Sequence, residues 1–154
     1  MASTPGITNS FKKEILEGTP HNLEATAGTY KMALYVNAAT NTPNTAAYTV
    51  TNEVATAGGY SAGGADVATG TVILDSGNNS AFWTPGETTD GGNTQAGNIT
   101  WSNVTFTTDN CLMYKNTTNE TVAVFTFTSQ AVSSGTFTLQ MPVNNNANAL
   151  IKLA

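Results

Sequence analysis

Residues 136–143 alternate without a break: Phe137, Leu139, Met141 and Val143 fall on one side of an extended chain, and Thr136, Thr138 and Gln140 on the other. A repeat of two suits a strand with one buried and one wetted face, whereas a helical face recurs every ~3.6 residues. The same alternation runs through Tyr30, Met32, Leu34 and Val36, with Lys31, Ala33 and Tyr35 between them. Most of this chain must therefore be solved as β structure.

Further runs of strand type follow, separated by turn chemistry. Residues 47–52 carry Tyr48 and Val50 on one face, residues 70–75 alternate Val72 and Leu74 with Ile73, and residues 80–84 set Phe82 and Trp83 side by side, one to each face. From Asn98 the register of Ile99 and Trp101 slips at Ser102-Asn103 to that of Val104 and Phe106, as a β-bulge would make it. Residues 110–115 place Leu112 and Tyr114 opposite Cys111 and Met113, and residues 116–119 form a turn. Residues 120–128 are almost continuously apolar or Thr, as in a central strand covered on both sides. Residues 149–154 supply a last strand, with Ile151 and Leu153 inward. About eight short strands spaced in this way predict an all-β fold, an antiparallel β-sandwich or jelly-roll-like domain. Glycine-rich residues 58–64 give a tight backbone path around Tyr60, and polar residues 85–97 give an exposed loop.

Helical spacing occurs once, at residues 10–18. Ser10 is placed to cap, Phe11, Ile15 and Leu16 share a face, and Gly18 can end the turn. Two turns are marginal alone in water, so the apolar face must dock on the β body or on a neighbouring subunit. Residues 1–9, with Pro5 and Gly6, read as an extended arm. The expected organisation is thus an N-terminal arm and short amphipathic helix over residues 1–18, followed by a β-sandwich domain over residues 19–154.

Chemistry is sparse. Ten acidic and five basic residues, one His and one Cys among 154 residues leave little of the equipment that catalysis uses. The net charge of −5 would repel phosphate backbones, and only Lys12 and Lys13 are locally basic, which argues against direct nucleic-acid binding. No apolar run approaches the ~20 residues that cross a bilayer as a helix, and the first residues lack the pattern of a secretory signal, so the expectation is a soluble chain made in a cytoplasm, with no membrane partner. Cys111 reads as a buried structural thiol, and His21 lies far from it in sequence.

One His and one Cys do not build a zinc site of the usual kind. Asp66, Asp75, Glu87, Asp90 and Asp109 show no EF-hand-like alternation and read as solvated loop or turn residues. Residues 58–64 lack the Lys-Ser/Thr ending of a phosphate loop. Trp83 and Trp101 are candidates for a flat carbohydrate platform, although core packing is the commoner fate of such residues. No catalytic residue, cofactor or metal site is expected, and the chain is read as no enzyme.

The run from Ile7-Thr8-Asn9-Ser10-Phe11 to Leu16-Glu17-Gly18, followed by Tyr30-Lys31-Met32-Ala33-Leu34-Tyr35, resembles small virion structural proteins of tailed bacteriophages. Gly59-Tyr60-Ser61-Ala62-Gly63-Gly64, Trp101-Ser102-Asn103-Val104-Thr105, Leu112-Met113-Tyr114-Lys115-Asn116 and Phe137-Thr138-Leu139 extend the resemblance along most of the chain. It implies a non-enzymatic capsid decoration or cement protein in the virion, made in the host cytoplasm, that binds and stabilises the shell of major capsid protein and forms a homo-oligomer, a dimer or trimer. A tail, neck or fibre-associated module and a carbohydrate-binding β-sandwich are the alternatives. Phe11, Ile15, Leu16 and Tyr60 are the candidate partner contacts.

Overall fold

The computed structural model describes residues 2–18 and 21–154. The expected all-β character is present, with one short helix and two antiparallel sheets among the described residues, and strands β1 (Gly6–Ile7), β2 (Tyr30–Tyr35), β3 (Ala65–Asp66), β4 (Ile73–Asp75), β5 (Ser80–Trp83), β6 (Ile99–Lys115), β7 (Thr121–Leu139) and β8 (Ile151–Leu153). Helix α1 spans Asn9–Leu16. One sheet runs β1-β7-β6-β2-β3 and the other β4-β5-β8.

The chain divides into two units. The first comprises Met1–His21, Gly28–Asp66 and Trp101–Phe137; the second comprises Asn22–Ala27, Val67–Thr100 and Thr138–Ala154.

In the first unit, β2 pairs along its whole length with the end of β6, Tyr30 opposite Lys115 and Tyr35 opposite Asn110. Tyr30, Met32, Ala33, Leu34 and Tyr35 are all buried, so β2 is covered on both faces rather than on the one its alternation predicts. The turn at residues 116–119 closes onto Lys115, whose N–H donates to the Glu120 carbonyl at 2.8 Å. Val122, Ala123 and Val124 are buried, and β7 is paired there with β6 on one side and with β1 on the other.

That pairing absorbs part of the expected arm. Gly6 lies opposite Val124 and Ile7 opposite Ala123, and buried Thr8 donates its hydroxyl to the Thr121 carbonyl at 2.7 Å. Thr8, not Ser10, caps α1 by accepting the Phe11 N–H at 3.4 Å. Phe11 turns inward, a burial that contributes about 2 kcal/mol and anchors a helix too short to persist alone.

Two pairs of expected strands are each one long strand. Strands β6 and β7 run through residues 107–109 and 129–135, where the sequence suggests breaks. In β7, Ser134 takes φ 48° and its N–H is held by Thr105 Oγ1 at 2.9 Å. In β6, Asn103 takes φ 55°, and exposed Ser102 and Asn103 separate buried Trp101 and Val104, which is the slip visible in the sequence. Residues 47–52 form no strand: Ala47 makes a single bridge to Glu120, and Asn52 sits at φ 61° in a turn.

The second unit carries the three-stranded sheet, with Ile73 opposite Phe82 and Trp83 opposite Ile151. Phe82 and Trp83 are both buried instead of dividing between faces, and Leu153 is exposed while Ile151 is inward. Residues 85–97 are not a purely solvated loop, because they wrap Glu87: its Oε1 accepts from the Thr94 hydroxyl and the Gln95 N–H, each at 2.9 Å. Glu87 is therefore a buried latch, contrary to its reading as a solvated acid.

Candidate functional site

Three features of the first unit bear on function. The first is a buried carboxylate in a cage of tyrosines. The segment at Glu53–Val54 runs beside the end of β2, with Val54 N–H donating to Leu34 O at 2.9 Å, which aims Glu53 inward. Its Oε1 accepts from the Tyr60 hydroxyl at 2.8 Å and the Gly63 N–H at 2.7 Å, and its Oε2 from the Tyr48 hydroxyl at 2.6 Å. Tyr48 stacks on Tyr114 at 4.3 Å between centroids, Tyr114 donates to Gly63 O at 2.8 Å, and Tyr35 donates to Thr49 O at 2.7 Å.

Burial, reinforced by the hydrogen bond to Glu53 and its negative charge, pushes the Tyr60 phenol well above its ordinary range. Tyr35 and Tyr48 move the same way, and burial lifts Tyr114 to about 12. Such phenols stay protonated and act as donors. With its oxygens engaged by three donors, Glu53 fixes the loop of residues 48–63 against β2.

Glycine does the corresponding work at the other end of that loop. A Cβ on Gly58, at φ +58°, would lie 1.8 Å from Asn103 O, and one on Gly59 2.1 Å from Ser102 O. The glycine-rich stretch is thus the contact that lets the loop lie on the kinked part of β6, with Tyr60 beneath it 5.7 Å from Trp101 and 6.1 Å from Phe106, between centroids.

The second feature is a cluster that the sequence did not reveal. Glu14 on α1, His21 beyond the helix and Glu120 at the entry to β7 bring one ligand atom each within 4.8 Å of one another. His21 Nε2 contacts the Glu14 carboxylate, and its Nδ1 lies 3.4 Å from the Tyr30 hydroxyl. Burial and the Glu14 charge raise the Tyr30 phenol to about 12. His21 is the chain's single histidine, and nothing in the spacing of residues 14, 21 and 120 marks them as neighbours.

The third feature is an open edge. Beyond Val124, residues 125–137 of β7 have β6 on one side and, among the described residues, no strand on the other. From Thr121 to Leu139 there is no Asp, Glu, Lys, Arg or Pro. Natural edge strands are usually blunted by charge, proline or a cover; here the residues are Thr, Ser, Val, Phe and Ala with one Gln, one Gly and one Leu.

Of the expected partner contacts, Phe11 and Tyr60 lie in the interior of the unit, whereas Ile15 is 38% and Leu16 88% exposed. Cys111 is buried, and that burial lifts its thiol to about 12, away from reactivity. Trp83 and Trp101 are only 1% and 5% exposed, which leaves neither indole face open to a sugar ring. In the second unit an open cleft of about 530 Å³ lies among Leu74, Asn79, Ala81 and Leu153, with Leu74 exposed. Among the described residues, no helix is long and apolar enough to cross a membrane. Comparison with protein-family models, with curated proteins and with solved structures gives no match.

Proposed function

We propose that this chain is a non-enzymatic structural subunit of a tailed-bacteriophage virion, a decoration or cement protein that binds the shell of major capsid protein and stabilises it. The sandwich or jelly-roll-like layering expected from the sequence belongs to the same reading. The observation that carries it is the bare, uncharged edge of β7. A row of unpaired backbone groups without charge or proline favours addition of a strand, and association there needs no desolvation of ionised side chains.

The occupant proposed for that edge is an extended segment of the major capsid protein. Exposed Ile15 and Leu16 on α1 add an apolar contact at a separate place in the same unit. The tail, neck or fibre-associated reading uses the same edge with a different virion partner. The carbohydrate-binding reading loses its two tryptophan platforms to burial.

Thr128 and Gln130 are exposed positions on that edge, and lysine at both is the substitution that natural edges use against strand addition. Purified wild-type chain should co-sediment with undecorated shells of the encoding phage, and the Thr128→Lys/Gln130→Lys variant, folded by circular dichroism, should not. Equal co-sedimentation of the two proteins would overturn the edge as the contact. Loss of a wild-type dimer in the variant, with shell binding intact, would instead give the edge to a second copy.

A further inference from the structure

We infer that Glu14, His21 and Glu120 form a site for a divalent transition-metal ion of the zinc class, independent of the partner assignment above. The three side chains come from α1, from the segment that follows it, and from the residue that opens β7, and each places a ligand atom within 4.8 Å of the others. One imidazole nitrogen with two carboxylate oxygens is a donor set for zinc and its neighbours; calcium and magnesium prefer all-oxygen shells.

The imidazole is held for this task. Its side chain is 1% exposed, so it cannot swing into solvent as a surface histidine does. Phe11 packs edge-on at 4.7 Å between centroids and Tyr30 stacks at 6.3 Å, bracketing the ring. The Tyr30 hydroxyl, 3.4 Å from Nδ1, can accept the Nδ1 proton, which leaves the Nε2 lone pair facing the two glutamates. This is the hydrogen-bonded support that metal-bound histidines ordinarily have. Glu120 is oriented in turn by the Thr118 hydroxyl, 2.6 Å from Oε2, which leaves Oε1 for an ion.

Two carboxylates converging on one point repel one another, and a dication between them removes that repulsion. The ion would staple α1 to the start of β7, adding a coordinate link to the hydrogen bonds of Thr8. Three protein donors leave coordination positions for water.

The test is clean because the chain has one histidine and one cysteine, and Cys111 is buried. Metal-stripped protein titrated with Zn2+ should bind one ion per chain. Its melting temperature should rise by roughly 5–10 °C at a hundredfold excess over the dissociation constant. Ca2+ and Mg2+ should give no shift. Glu120→Gln and Glu14→Gln, each with wild-type circular dichroism, should weaken Zn2+ binding at least tenfold, and amide exchange in α1 should slow only when wild type is loaded. Co2+ should give a visible absorption band that His21→Gln removes. No Zn2+-dependent shift in wild type, or a shift retained in full by both glutamine variants, would overturn the site.

Discussion

Tyr60 donates its phenolic hydrogen to Glu53 at 2.8 Å while accepting the Leu34 N–H at 2.9 Å, so one oxygen joins strand β2 to the loop that covers it. Tyr60→Phe leaves the Leu34 N–H without that acceptor and should cost about 1–3 kcal/mol. Glu53→Ala strands two phenols and the Gly63 N–H, and should cost about 3 kcal/mol or more. In urea unfolding the double variant should lose less than the sum of the two, because they share one network. Simple additivity would show that the bond contributes nothing.

All five tyrosines are raised above their usual range, Tyr30 and Tyr114 to about 12 and the other three further. A phenol whose folded value exceeds its unfolded value of about 10 contributes stability in full below pH ~10, and loses it as pH climbs through the folded value. Folded protein should therefore show almost no tyrosinate absorbance near pH ~10, and the signal should then appear together with loss of far-ultraviolet circular dichroism. A tyrosinate titration centred near pH ~10 with the β signal intact would contradict the cage.

Gly58 and Gly18 both lie at positive φ, +58° and +74°, yet a Cβ meets Asn103 O at 1.8 Å at the first and nothing within 4 Å at the second. Gly18→Ala should cost about 1 kcal/mol from backbone strain alone, and Gly58→Ala about 3 kcal/mol or more from strain plus collision. The difference between the two, read from denaturation midpoints, measures how tightly the loop lies on β6.

Leu16 is 88% exposed, so Leu16→Ser should leave the melting temperature within about 1 °C of wild type. If α1 meets the shell, the same variant should lower occupancy on purified capsids several-fold. Unchanged occupancy would remove the helix from the contact.

The β character and the slip at Ser102-Asn103 were legible because alternation and its phase are local properties of the chain. The division of strands was not, since residues 129–135 read as a break, whereas Ser134 at φ 48° lets β7 continue. Burial of β2 on both faces draws on residues from later in the chain, such as Tyr48 and Tyr114 packed against Ala33 and Tyr35, and no alternation in residues 30–36 announces them. Acidic residues were the hardest to place: Glu53 and Glu87 carry the same side chain as solvated Glu17, and only the folded loops around them supply their donors. Glu14, His21 and Glu120 converge through pairing of β1 with β7, a two-residue ladder too short to register as a sequence pattern.

A count of this chain per virion, by quantitative mass spectrometry of purified particles against the major capsid protein, is the direct test of the shell-decorating role. A shell-decorating subunit predicts hundreds of copies in a fixed ratio to the capsid lattice. Roughly a dozen or fewer, the number that tail and neck symmetry allows, would contradict it.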